Sequence, residues 1–226
     1  IWRESLCNAL VSIKEWMVSN WKDESSTGTG SPTEMGGKVR TIAFYTQGEV
    51  QLADTLKLFL GARYDTWKNY DASTNSTRYE DKERTAFSPK IGLVYKPEFE
   101  KGLYKLDGIR ASIGKAFRPP TIYELYRTTK IVTKTYVSNP ELSPETTLSW
   151  EIGIDQHLSE IALSATYFES RIDDLIYSKK GTGSSYAKEN AGCGKIAGFE
   201  VEGKMKISAW LDAFANYTLQ DTEITS

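Results

Sequence analysis

Ile196-Ala-Gly-Phe-Glu-Val-Glu-Gly-Lys-Met-Lys-Ile-Ser208 is the stretch that decides the fold. Phe199, Val201, Gly203, Met205 and Ile207 fall on one parity, while Glu200, Glu202, Lys204, Lys206 and Ser208 fall on the other. Successive side chains of a strand point to opposite faces, so this stretch has one greasy face and one charged face. The same dyad recurs outward from it in both directions. Downstream, Leu211, Ala213, Ala215, Tyr217 and Leu219 oppose Asp212, Asn216, Thr218 and Gln220. Upstream, Leu163, Ala165 and Tyr167 oppose Ser164 and Thr166, and Leu148, Trp150, Ile152 and Ile154 oppose Ser149, Glu151, Asp155 and His157. Segments 109–118, 87–96, 56–65 and 41–52 repeat the pattern, with Lys115 and Phe59 as exceptions. Helical spacing explains none of these segments as well.

The connections alternate too, short then long. Ala53-Asp54, Leu158 to Glu160 and Ser208-Ala209 are two- or three-residue links, which fit only antiparallel neighbours. Pro97 to Gly108 is a somewhat longer link. On the opposite side lie 23–38, 71–84, 118–146 and 173–195, rich in Ser, Thr, Gly, Asn and charge as surface loops should be. Amphipathic strands with short turns at one end and long loops at the other describe an all-β antiparallel transmembrane β-barrel wall of eight or nine strands. A soluble β-sandwich also alternates in and out, but it does not need its loops segregated by length.

Composition is consistent with that reading. The chain has 226 residues, 28 basic against 30 acidic, and a net charge of −2, which argues against a nucleic-acid partner held by phosphate charge. Mean hydropathy is −0.45, and no apolar run reaches the length of a transmembrane helix. Barrel strands escape that test because only alternate residues meet lipid. Residues 1–40 read as a strand or helix followed by a loop. Leu6, Leu10, Ile13 and Met17 have helical spacing, yet a strand over 11–22 places the next loop on the long-loop side. Cys7 and Cys193 permit one disulfide in an oxidising compartment, and no metal cluster of cysteines is present.

Two boxes sharpen the picture. Gly114-Lys-Ala-Phe-Arg-Pro-Pro-Thr-Ile-Tyr-Glu-Leu-Tyr126 is followed by Asn139-Pro-Glu-Leu-Ser-Pro-Glu145. With Phe87 to Tyr95, Gly61 to Asp65, Tyr167 to Ile176, Asn190-Ala-Gly and Gly198-Phe-Glu200, they resemble the barrel of TonB-dependent outer-membrane receptors over about residues 40–222. In that family an FRAP-like box and an NPxLxPE box flank one extracellular loop. Pro119 departs from the family's usual Ala, a conservative change where a turn leaves a strand.

The resemblance implies a barrel of about 22 strands blocked by an N-terminal plug. Such a receptor imports scarce iron chelates, haem or cobalamin across the bacterial outer membrane with energy from the TonB complex, which it meets through the plug. Residues 1–226 are accordingly expected to be part of one barrel domain, internal to it and unable to transport alone. A ferric siderophore is the expected cargo, with cobalamin or haem as alternatives. Outer-membrane lipid is the expected surroundings. Arg118, Tyr123, Tyr126, Arg127 and Tyr136, on the long loop and upper lumen wall, are the candidate ligand contacts. Arginine and tyrosine suit anionic, aromatic-rich chelates through charge-assisted bonds and stacking. The alternative for Arg118 and Glu124 is a structural part of the loop base, and for Tyr123 and Tyr126 an interfacial girdle.

Haem-importing relatives carry a His between the two boxes, and residues 119–138 contain none. The single His157 reads as a wetted lumen residue beside a turn. No nucleophile–base set can be drawn from one His, so an enzyme is not expected, and no cofactor is called for. Asp173-Asp174 point to opposite faces of a strand and read as loop residues, and Gly181-Thr-Gly-Ser-Ser lacks the Lys and helix of a phosphate cradle.

Overall fold

The computed structural model describes residues 7–23, 33–190 and 192–225, with side chains over 36–190 and 192–224. In chain order the strands are β1 (Cys7–Asp23), β2 (Thr33–Ala53), β3 (Leu56–Thr74), β4 (Thr77–Arg78), β5 (Lys82–Tyr95), β6 (Phe99–Lys101), β7 (Tyr104–Arg118), β8 (Thr129–Ile131), β9 (Lys134–Val137), β10 (Glu145–Leu158), β11 (Ile161–Asp173), β12 (Ile176–Lys180), β13 (Ser185–Asn190), β14 (Cys193–Ser208) and β15 (Leu211–Thr225). One helical turn, α1 (Ile122–Tyr126), lies between β7 and β8. Among the described residues the wall is a meander in the order β1-β2-β3-β5-β7-β10-β11-β14-β15, with β4 and β6 hanging on β3 and β7. The ambiguous first stretch is strand β1, paired with β2 from Cys7↔Gly48 to Asp23↔Thr33.

Register converts the sequence alternation into two surfaces. Val50, Leu58, Leu93, Ala111, Ile152, Tyr167, Phe199 and Leu219 stand side by side across eight strands. One residue along, the neighbouring row is Gln51, Lys57, Val94, Arg110, Gly153, Thr166, Glu200 and Thr218, polar at all but two positions. The apolar face is not covered: Phe44, Ile91, Ile152 and Phe199 are each about half exposed, at 52%, 49%, 49% and 56%. A soluble sandwich would bury these residues against a second sheet, so that alternative fails. An uncovered apolar band of this breadth belongs against lipid.

The band is not level. On β2 the apolar run Ile42–Leu52 is centred three residues toward the loop end of the Val50 row. On β15 the run Leu211–Leu219 is centred four residues toward the turn end of the same row, which there is at Leu219. That makes seven residues of drift over seven strand-to-strand steps. With roughly 3.3 Å per residue and roughly 4.8 Å per step, the band runs about 35° from the perpendicular to the strands. Strands in membrane barrels tilt by about 35–45°.

The inner face is held by polar bridges between neighbouring strands. Arg110 donates to Asp155 Oδ1 at 2.6 Å and to the hydroxyls of Ser164 and Thr166. Its guanidinium lies over Gly153, where a Cβ would sit 2.7 Å from Cζ. Lys57 bonds Glu49 at 2.5 Å, and at the short-turn end His157 bonds Asp107. Phe59, which breaks the alternation, stands opposite Gly92, and Phe168 stands opposite Gly198. Each ring covers the strand surface that its glycine leaves bare.

The wall also has a gap. β5 and β7 pair only through Lys90–Tyr95 and Ile109–Gly114. Pro89 offers no N–H to extend the ladder, and beyond it the strands part. β7 continues beside β10 as far as Arg118↔Glu145, while β5 stays with β3. Trp67 of β3 stacks on Phe117 of β7 across the gap, with ring centroids 5.0 Å apart.

The apolar core sits above the wall, at the loop end. Ala72, Ile122, Leu125, Tyr126, Leu142 and Ile176 pack together, with Val39 and Tyr79 against them. The long connections expected as irregular loops are therefore built structures: 118–146 carries α1, β8 and β9, and 173–195 carries β12 and β13. β13 pairs in parallel with β9, giving a second sheet in the order β12-β13-β9-β8. Of the Cys7–Cys193 bridge considered from sequence, the Cys7 side chain lies outside the described residues. Cys193 is a free thiol that bonds Asp173 at 3.2 Å.

Candidate ligand site

α1 begins with a reciprocal cap. Thr121 Oγ1 accepts from the Glu124 N–H at 3.2 Å, and Glu124 Oε2 accepts from the Thr121 N–H at 2.8 Å. Two orphan donors of the helix start are thereby satisfied. Arg118, at the end of β7, then ties this turn to the wall. Its Nε and Nη2 donate to the two Glu145 oxygens at 2.6 and 2.8 Å, and Nη1 donates to Glu124 Oε2 at 3.0 Å. Glu145 Oε1 also accepts the Ile176 N–H at 2.7 Å. Four elements, β7, α1, β10 and β12, meet at one guanidinium and two carboxylates.

The electrostatics follow from that geometry. Hydrogen bonds from Arg118 hold the Glu145 carboxyl below its ordinary range despite burial. Burial alone would raise the Glu124 carboxyl, but bonds from Arg118 and Thr121 outweigh it and hold this group low as well. The Glu145 bonds raise the Arg118 guanidinium further. All three stay charged at neutral pH.

The NPxLxPE-like box braces the same region. Asn139 donates from its N–H to the Glu124 carbonyl at 2.9 Å and from Nδ2 to the Lys188 carbonyl at 3.0 Å. Asn190 accepts the Ser143 N–H and donates to the carbonyls of Ser143 and Asp174. The two boxes and the Asn190 motif thus join the two loops.

The five sequence candidates separate into two groups. Arg118 is engaged in the clamp. Tyr126 is 1% exposed and packs on Tyr79 with ring centroids 4.6 Å apart, so it belongs to the core. Its hydroxyl has no hydrogen-bond partner among the described residues, and burial raises its pKa. Tyr123, Arg127 and Tyr136 come together around a recess of about 380 Å³ that Ile131, Glu124 and Lys188 also line. Arg127 lies over the Tyr123 ring at 5.3 Å from its centroid, and Tyr136 stacks on Tyr186 at 5.3 Å. Lys134 lies over Tyr186 at 5.5 Å. Lys188, Tyr186 and Lys134 were not legible as partners in the sequence, because only the parallel β9–β13 pairing brings 185–187 beside 135–137, with Lys188 and Lys134 flanking that register. Two phenol rings beside a guanidinium and an ammonium can accept a flat anion by stacking and charge-assisted bonding. Among the described residues no group of three His, Cys, Asp or Glu side chains could hold a metal ion.

Comparison with known proteins agrees with this architecture. Residues 15–226 match the family described as TonB dependent receptor-like, beta-barrel. The vitamin B12 transporter BtuB of Vibrio vulnificus is 32% identical over 218 residues, covering 82% of this chain and 34% of the transporter. A hemin receptor of Yersinia pestis is 25% identical over 177 residues, covering 70% of this chain and 25% of the receptor. The chain thus spans between a quarter and about a third of the length of these curated relatives. The structure of the ferripyoverdine receptor of the outer membrane of Pseudomonas aeruginosa is similar over 97% of this chain and 30% of its own, with a TM-score of 0.62 at 19% identity. Proteins of this kind are receptors and transporters rather than enzymes. The amphipathic meander is therefore bacterial outer-membrane barrel wall, and the chain belongs to the TonB-dependent receptor family.

Proposed function

We propose that this wall serves an active importer of a ferric siderophore or similar iron chelate, driven by the TonB complex through a plug domain. Tyr123, Arg127 and Tyr136 form its extracellular contact surface, joined by Lys188. Arg118 and Tyr126 hold that surface in place without touching ligand. The observation that carries this reading is the convergence of two basic side chains and two tyrosines on one recess. Iron chelates are commonly anionic and planar in part, which suits that lining. The recess has no imidazole to offer haem iron, although a tyrosine can ligate it. Cobalamin is the second reading, favoured by the 32% identity to a vitamin B12 transporter.

The test is binding to the full-length receptor of ferric siderophores, haem and cobalamin in parallel. Arg127→Gln combined with Lys188→Gln should weaken a ferric chelate about tenfold or more. Tight cobalamin binding that ignores both substitutions, with no chelate bound, would replace this reading by the second one.

A further inference from the structure

Lys115 breaks the alternation of β7, and the structure gives that break a place. It stands between Ile113 and Phe117 and opposite Leu148, which is 47% exposed on the outward face. Directly opposed residues of an antiparallel pair share a face, so the Lys115 side chain leaves the wall on the lipid side. It makes no hydrogen bond or ion pair among the described residues; it acts on Asp173 only at longer range. Arg171 and Lys195 continue the same row beyond Leu148, but each is already paired, with Asp173 at 3.3 Å and Glu169 at 3.1 Å.

Its depth follows from the slope of the apolar band. The upper edge lies at Ile42 on β2, eight residues above the Val50 row, and at Leu219 on β15, on that row. Falling evenly over seven steps, the edge crosses β7, three steps along, between four and five residues above Ala111. That point is Lys115. An ammonium on the lipid face is strongly unfavourable within hydrocarbon but favourable at the headgroup boundary. The loop end faces the exterior in such barrels, so the boundary is that of the outer leaflet.

Beside Lys115 the wall is open. The gap between β5 and β7 forms a cleft of about 400 Å³ lined by Trp67, Phe87, Pro89 and Phe117. The polar Thr85, Ser143, Thr146 and Asp174 line it too, and Lys115 itself borders it. Phe87 is 57% exposed on the outward face, whereas Trp67 belongs to the lumen parity, so the cleft enters the wall from the lipid side. A slot with an aromatic floor and a polar upper rim, beside an unpaired cation at headgroup depth, has the shape and charge of an amphiphile site. We propose that Lys115 and this cleft bind a phosphate-bearing lipid of the outer leaflet, the phosphate on Lys115 Nζ and part of an acyl chain along Phe87, Pro89 and Phe117.

Native mass spectrometry of the full-length receptor with a bisphosphorylated lipid A, and with the same lipid stripped of phosphate, tests this. The wild type should retain the phosphorylated form about fivefold better, the increment of one lysine at a charged membrane surface. Lys115→Gln should abolish the preference, Lys115→Arg should keep it, and Lys90→Gln on the lumen face should leave it unchanged. Equal retention of the two lipids by the wild type, or an unaltered preference in Lys115→Gln, overturns the proposal. So does displacement of the lipid by millimolar inorganic phosphate, which would mark a site for free anions. If Lys115→Gln fails to assemble, the wild-type comparison and Lys115→Arg still decide.

Discussion

Arg118 occupies a position where sequence suggests a ligand contact, yet Glu124 and Glu145 take up its donors. Removing one partner of a buried pair costs about 3–5 kcal/mol, and the 42% exposure of Arg118 lowers this to about 1–2 kcal/mol through solvent screening. Arg118→Gln should therefore loosen the 118–146 loop while leaving the wall assembled. Protease nicking within that loop, alongside an unchanged heat-modifiable mobility of the barrel, is the readout. Acid should mimic the substitution. Both carboxyls titrate below their ordinary 4.5 in the folded protein, so their contribution is present above that pH and lost as pH falls through the folded values. Exchange of the Ile176 amide should accelerate below pH 4.5 in the wild type, and Arg118→Gln should lack that step. The sequence offered both roles for Arg118 and could not choose between them, since Glu145 is 27 residues away and only the β7–β10 register brings it within reach. Tyr126 was equally unreadable: nothing local distinguishes a girdle tyrosine from one packed on Tyr79.

At the level of single elements, the dyad pattern located eight of the nine wall strands, because each must present one face to lipid and the other to water, and it left β1 open between strand and helix. It failed at their loop ends. β2 and β3 run 21 and 19 residues, well beyond the roughly 9–11 needed to cross a bilayer, and the upper part of β3 loses the apolar–polar alternation where Asp65, Trp67, Asn69 and Ala72 are all buried. The helical turn was in fact announced by Thr121 and Glu124 at capping-box spacing, inside a stretch read only as loop. Parity itself is testable in β3. Leu58→Arg in the full-length receptor puts a charge on lipid and should cost about 2–4 kcal/mol near the midplane. Lys57→Gln, facing the lumen, forfeits only its half-exposed bond to Glu49 and should cost under about 1 kcal/mol. Equal refolding of the two variants into bilayers would refute the assignment of faces. On β14, Gly198→Val should destabilise by about 1–3 kcal/mol or more, since its Cβ would lie 2.5 Å from the Leu219 carbonyl oxygen, which the ladder holds in place. Urea titration of the refolded receptor measures that loss.

The whole molecule inverts the usual arrangement of a folded domain. Its apolar cluster caps one end, and the sheet beneath presents its greasy face outward. The one-residue drift of that face per strand sets the tilt, and polarised infrared spectroscopy of the assembled receptor in oriented bilayers should return strands about 35° from the membrane normal. A value near zero would contradict the register. This slope was latent in the sequence, because the apolar runs could be counted there, but it needed the pairing to become an angle. The parallel seam between β9 and β13 was not latent at all: it joins segments about fifty residues apart by backbone bonds that any side chains could make. That seam ties the two long loops into a single structural unit. A graft that exchanges 118–146 alone between related receptors should leave a mismatched edge and lose the donor's selectivity, whereas exchanging it together with 173–195 should carry the selectivity across.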